Sequence, residues 1–324
     1  MRAAEAVALI ACAMLGIAPD ALAQAWPLRP VRIAAPYSPG AGPAVFTRVL
    51  AEKLSQAWSQ PVIVDGRPGG GGFAAIDSVK SAPADGHDLL VVSNAHVAIN
   101  PSLYAKLPYD PDRDLLPVAM IYRTPFYLVV RADGPYATVP ALVAAARERP
   151  GTVSYGSSYV GSPSHLGSAE FEFATGTTMI HVPFKDQSQM YVSIANGDVG
   201  WAFTTLGSAL PLVKAGKLRL IAIAAPRRAD VLPEVPTLAE AGGPAGMVVD
   251  SWLALMAPRG TPEDVVRKIN ADVNRLLADP DIVEKLRAFG FDAAPGTPAE
   301  LAAIIRGETK RFAELVRRTG AKAD

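Results

Sequence analysis

Val31-Arg32-Ile33-Ala34-Ala35-Pro36-Tyr37-Ser38-Pro39-Gly40-Ala41-Gly42-Pro43 is the stretch on which the reading of the chain turns. Its first five residues are an apolar run of strand type. Its end is rich in Gly and Pro, and beyond it Val45, Phe46, Val49, Leu50 and Leu54 recur at helical spacing. The order is strand, turn, helix start. Such a turn presents backbone N–H groups at a helix N-terminus, where the helix dipole favours an anion. Tyr37, Ser38, Pro39, Gly40, Ala41 and Gly42 are therefore candidate contacts for one carboxylate of a small ligand. The plainer reading is an ordinary strand-to-helix connection, since Gly and Pro punctuate most turns. The loop alone leaves both open.

Outward from the loop, the pattern repeats. Val62-Ile63-Val64 reads as a strand, Phe73 to Val79 as a helix, and Leu89 to Val92 as a buried strand ending in Ser93-Asn94-Ala95-His96. Alternating strands and helices argue for a parallel sheet. Positions 101–117 look like a surface connection. Val118 to Ile121 and Phe126 to Val130 read as two strands separated by Arg123-Thr124-Pro125, where a domain crossover is expected. A second α/β series follows, and Val248 to Met256 is a strand that could cross back. Pro262-Glu263 and Thr297-Pro298-Ala299-Glu300 are start signals for the helices of the tail. A length of 324 residues suits two domains. The expected division is 26–125 with 250–324 as one discontinuous domain, and 126–249 as the other.

In the second series, Val153-Ser154-Tyr155 leads into the Gly/Ser-rich turn Gly156 to His165, followed by a helix. This is a second N-terminal anion pocket, supplied with hydroxyls. In open α/β sheets ligands sit at the carboxyl ends of strands, and both loops are placed there. Ser157, Ser158, Ser162 and His165 also invite a hydrolase reading. Gly156-Ser157-Ser158-Tyr159-Val160 breaks the nucleophile-elbow pattern at its last position. A periplasmic serine hydrolase using Ser158 and His165 is the alternative from another class.

Composition removes other functions. The 31 basic and 31 acidic residues balance, so the positive footprint of a nucleic-acid binder is missing. The four histidines lack metal-site spacing, and no metal is expected. Gly69-Gly70-Gly71-Gly72-Phe73-Ala74 formally fits a dinucleotide fingerprint, but Asp65-Gly66-Arg67-Pro68 separates it from its strand. No cofactor is expected. Arg2, the short apolar stretch Ala6 to Ala18 and the small-x-small triplet Ala21-Leu22-Ala23 read as a secretory signal peptide over 1–23, cut after Ala23 or Ala25. The only cysteine, Cys12, lies within it, so the exported product would have no disulfide, thiolate ligand or cysteine nucleophile.

Taken jointly, several motifs resemble the extracytoplasmic receptors of tripartite tricarboxylate transporters, the Bug receptors. They are Pro36 to Pro43; Gln60 to Val64 with Arg67 to Gly72; Asp85-Gly86-His87; Asn100 to Tyr104; Gly161 to Leu166; His181-Val182-Pro183-Phe184-Lys185; Leu210 to Lys217; and Leu232 to Thr237. The resemblance covers essentially the whole mature chain. It implies an α/β fold, a two-domain periplasmic binding protein of type II (a Venus flytrap) with its ligand cleft between the domains. It further implies a periplasmic, monomeric receptor without enzymatic activity, which captures a small organic carboxylate for membrane permease subunits or reports it to a signalling system.

Carried over, the first loop is Tyr37 to Pro43, and the second contributes Ser157, Ser158, Gly161, Ser162 and His165. Asn94 and His96 would lie near the end of the third strand. Tyr37, Tyr159 and Phe184 would form an apolar wall. Departures bear on the ligand. Gly40-Ala41-Gly42-Pro43-Ala44 stands where the family often has Gly-Gly-Gly-Thr-Asp, and Thr204-Thr205 where Asp-Asn is common. Asp186-Gln187-Ser188-Gln189 replaces Gly-Ser-Gly-Pro. The lost acidic partner argues against an amino-acid ligand, although Asp186 could restore an acidic contact.

Overall fold

The structure is a computed structural model describing residues 26–184 and 187–323. The expected signal peptide and Asp186 lie outside the described residues. The chain opens with β1 (Val31–Ala35), α1 (Gly42–Trp58), β2 (Val62–Gly66), α2 (Phe73–Lys80), β3 (Asp88–Val92) and a long β4 (Leu115–Arg131). It continues with α3 (Val139–Glu148), β5 (Ser154–Ser157), α4 (Pro163–Thr175), β6 (Ile180–Pro183), α5 (Gln187–Asn196), β7 (Trp201–Thr205), α6 (Leu206–Lys214) and β8 (Leu218–Ile223). It closes with β9 (Asp250–Pro258), α7 (Glu263–Leu277), α8 (Pro280–Ala288), β10 (Asp292–Ala293) and α9 (Pro298–Thr319).

The strands form one mixed sheet in the order β2-β1-β3-β9-β4-β7-β5-β6, with β8 and β10 also pairing β4. β1, β2 and β3 are parallel, as are β5, β6 and β7, while β9 and β4 run antiparallel to each other. Period-two alternation sorts side chains to the two faces of the first half. Leu89, Val91, Leu253 and Leu255 pack against α1, α7 and α8. Leu90, Val92, Trp252 and Ala254 pack against α2 and α9. In the second half, Trp201 and Phe203 meet Leu142 of α3 and Phe171 of α4, and Ala202 meets Met190 and Ile194 of α5. Burying a large apolar side chain stabilises the fold by about 1.5–3 kcal/mol. A further cluster joins the halves: Phe312, Leu315 and Val316 of α9 pack with Leu103 and with Leu166 of α4.

One expectation needs correcting. The two strands foreseen around Arg123-Thr124-Pro125 are the single strand β4. Up to Pro125 it pairs with β9, and from Phe126 onward with β7 and β8. Proline has no N–H to donate, and it falls where the strand changes partners. Elements not named from the sequence include β10, α8, the short helices Asn100–Leu103 and Pro111–Asp114, and a π-helical turn, Ala95–Ile99. The glycine run 69–72 has a conformational purpose. Gly72 adopts φ +86°, and a Cβ there would come within 2.5 Å of the His96 ring.

Candidate functional site

A cavity of about 830 Å³ opens between the two halves at the carboxyl ends of β1, β3, β5 and β7. The first half lines it with Tyr37, Ser38, Gly40, Ala41, Gly42 and Pro43 from the β1–α1 loop, and with Ser93 and Ala95 after β3. The shared strands supply Tyr122, Thr124 and Phe126 from β4 and Ser251, Trp252 and Leu253 from β9; Phe291 stands beside them. The second half adds Ser158, Tyr159, Ser162, Pro163, Ser164, Gln187, Ser188, Thr205 and Ser208.

Four helices thus begin at this wall: α1 behind Gly42, α4 behind Pro163, α5 at Gln187 and α6 behind Thr205. Their N-terminal dipoles put partial positive charge on the cavity. The starts differ in how they are closed. Ser162 caps α4, its Oγ accepting the His165 N–H at 3.2 Å. Ala41, at the cap of α1, has no side-chain oxygen, so no side-chain hydrogen bond caps that first turn. Thr205 does not cap α6; its hydroxyl lies 3.0 Å from that of Ser208.

Among the described residues, no Asp, Glu, Lys, Arg or His lines the cavity. An anion here meets backbone N–H groups, hydroxyls and dipoles. Two hydroxyls are waiting: Tyr37 Oη and Thr124 Oγ1 are buried without a hydrogen-bond partner. Ser93 lies beside Tyr37 without completing a bond of good geometry, and burial pushes the Tyr37 phenol well up, so it remains a donor. A buried donor left open stabilises whatever acceptor reaches it. In the same wall the rings of Tyr122 and Phe291 stack with centroids 4.0 Å apart.

A family model described as the tripartite tricarboxylate transporter family receptor matches residues 46–321. The chain belongs to this receptor family. Protein BugT of Bordetella pertussis is 35% identical over 318 residues, 98% of this chain and 97% of that protein. Rhodopseudomonas palustris Rpa4515, solved with adipate, is 32% identical with a TM-score of 0.80, covering 92% of this chain and 99% of that one. MatC from the same organism, solved with bound malate, is 28% identical with a TM-score of 0.75, covering 90% and 100%. The fold is that of the periplasmic solute-binding proteins of the tripartite tricarboxylate transporter receptor and Bug type.

Within this receptor, the residues expected from sequence divide into two groups. Tyr37, Ser38, Gly40, Ala41, Gly42, Ser158, Tyr159 and Ser162 line the cavity. Others stand behind the wall. Pro39 gives its carbonyl to Arg48. Asn94 braces the shared strands, donating to Asp250 O at 3.2 Å and accepting from Ser251 Oγ at 3.0 Å. His96 accepts the Ser93 N–H at 3.1 Å and presents its ring to Tyr37. Burial lowers its pKa to about 4. Ser157 Oγ lies 2.7 Å from His181 Nε2. Gly161, at φ +81°, donates to His165 Nδ1 at 2.9 Å, and a Cβ there would reach within 2.4 Å of Leu103. Phe184 packs beside the Met190 cluster, and Thr204 bonds Tyr191.

The hydrolase alternative finds no support in this arrangement. Ser158 Oγ accepts from Gln187 Nε2 at 2.8 Å, and no Ser158–His165 bond exists among the described residues. The His165 ring stacks on His181 at 3.8 Å, and burial lowers its pKa to about 3. Sequence reasoning missed Thr124 and Phe126 as wall residues. Their signal was period-two spacing with Tyr122, which places all three on one strand face.

Proposed function

We propose that this receptor captures a small organic carboxylate in the periplasm and delivers it to the membrane subunits of a tripartite tricarboxylate transporter. The carrying observation is the cavity itself: helix N-termini and hydroxyls converge on it, and no acidic side chain among the described residues faces it. Rpa4515 with adipate and MatC with malate, both of this family's fold, support a ligand with two carboxylates. In this reading the uncapped first turn of α1 takes one carboxylate, and Tyr37 Oη and Thr124 Oγ1 donate to its oxygens. Tyr122, Trp252 and Phe291 face the hydrocarbon body between the carboxylates. Residues 26–125 with 250–324, and residues 126–249, are the two lobes that close on it. Closure excludes water and strengthens each of those hydrogen bonds. The chain acts as a monomer, needs no cofactor and performs no reaction. Export rests on the signal peptide read over 1–23; no helix among the described residues is long and apolar enough to cross a membrane.

Isothermal titration with mono-, di- and tricarboxylates and aromatic acids tests the reading. Saturable one-to-one binding of a dicarboxylate is expected. Failure of every anion to bind, together with covalent labelling of Ser158 by a serine-reactive phosphonate, would overturn it.

A further inference from the structure

Behind the cavity wall lies a charged cluster that the ligand site does not use. Trp252, 1% exposed, is one of the cavity-lining residues of β9, and it donates its indole Nε1–H to α9. Both oxygens of Glu308 on α9 receive that proton, at 3.1 and 3.0 Å. From β4, Arg123 faces the same place and pairs with Asp250 of β9 at 2.5 Å. On α9 itself, Arg311 reaches Glu170 of α4 at 3.4 Å and donates to Val248 O at 3.2 Å. His96, on the π-helical turn packed against α9, turns its ring to Tyr37 and Ser93 instead. Two guanidinium groups therefore serve three carboxylates, and both are committed to Asp250 and Glu170. Among the described residues Glu308 forms no ion pair. Its hydrogen-bond partner among those residues is the indole N–H of the cavity-lining Trp252.

We propose that Glu308 is a proton-binding site coupled to the ligand cavity through Trp252, so that the entry of an organic carboxylate is accompanied by net uptake of protons from solvent at this single site. The argument rests on the carboxylate reading above and extends it. An ionised Glu308 holds its charge against a cavity-lining residue, where it repels an incoming anion. A protonated Glu308 still accepts the indole N–H through its carbonyl oxygen and holds Trp252 in place without that repulsion. Burial first, and the Asp250 carboxylate second, raise the Glu308 pKa to about 7, with Trp252, Arg123 and Arg311 opposing. The site is thus half-titrated near neutral pH before any ligand arrives. Because linkage is reciprocal, bound anion raises proton affinity by the factor by which the proton raises anion affinity.

The experiment uses the whole receptor with adipate as the probe, between about pH 6 and pH 8.5, where ordinary carboxylates stay ionised. His96, His165 and His181, lowered to about 4, 3 and 4, remain neutral throughout. Ligand-free Trp252 emission, isolated by difference from W252F, should show a transition centred near pH 7 that E308Q abolishes. Adipate affinity should weaken roughly threefold or more from pH 6 to pH 8.5, with proton uptake visible in buffers of different ionisation enthalpy. In E308Q, whose amide oxygen still accepts the indole N–H, the pH dependence should vanish; E308L, which leaves the indole unpartnered, should weaken adipate at every pH. An emission profile without a transition, or a pH-independent adipate affinity in the unaltered receptor, overturns the proposal. Persistence of the full slope in E308Q overturns it too. Absence of adipate binding at every pH with the emission transition intact supports the proton site and counts against the carboxylate reading.

Discussion

At position 308 the same carboxylate that senses the cavity also weighs on stability. Its pKa stands near 7 against an ordinary value of 4.5. Between those values the folded receptor holds a proton that the unfolded chain has released. Stability from this group is therefore present at the acid end of the window and lost as pH rises through about 7. E308Q is expected to melt above the unaltered receptor at pH 8.5, with the gap closing toward pH 5; thermal midpoints across that range check it. Gly40 offers a cleaner probe of the loop. No atom lies within 4 Å of where its Cβ would stand, and its φ is not in the left-handed region. Gly40→Ala should therefore leave the unfolding free energy within about 0.5 kcal/mol of the parent, as read by denaturant titration. A loss of adipate affinity in that variant would mark contact between this loop position and the ligand. At this scale, Tyr37, Ser158 and Ser162 were legible because Gly, Ser and Pro announce a turn at a strand end. Asn94, His96 and His165 share those turns but face inward, and side-chain direction is decided by packing partners distant in sequence. Thr124 and Phe126 were hidden for the same reason, since their face of β4 becomes a wall only once β9 and the second half are in place.

Helix starts are the elements on which the site depends. α4 is closed by its own Ser162, whereas α1 begins at an alanine. Ala41→Asp would supply the missing cap, and its carboxylate would sit where the ligand's is proposed to bind. The variant should gain about 1 kcal/mol in denaturant unfolding and lose adipate affinity by about tenfold or more. A gain in stability with undiminished binding would remove α1 from the site. Helices were the readable part of the fold because their ends are written locally. Thr297 and Glu300 form a reciprocal capping box before α9, as their spacing announces. β4 was misread because Pro125 looks like a stop in isolation; only the exchange of β9 for β7 and β8 makes it tolerable. β10, two residues long, has no periodicity to read.

For the molecule as a whole, electrostatics predicts a quiet encounter. Formal net charge is zero, and no ionised side chain among the described residues lines the cavity. Long-range steering should be weak, so the adipate association rate should change by less than about twofold between roughly 0.05 and 0.5 M salt. Stopped-flow tryptophan emission measures it; a steep fall would reveal a cationic approach route. The two strand–helix series were readable locally, but the strand β4 that pairs with both was not, because long-range pairing leaves little mark on local sequence. That shared strand has a further consequence for how the chain can be rebuilt. Pro125 and Asp250 face each other across β4 and β9, and Phe126 N donates to Val249 O at 2.9 Å. The whole segment 126–249 therefore leaves and rejoins the first half at neighbouring backbone positions, as a cassette spliced into the mouth of a hairpin. Joining 125 to 250 through a two-residue turn would close that hairpin, and the cassette could be exchanged between relatives without altering the strand register of its host.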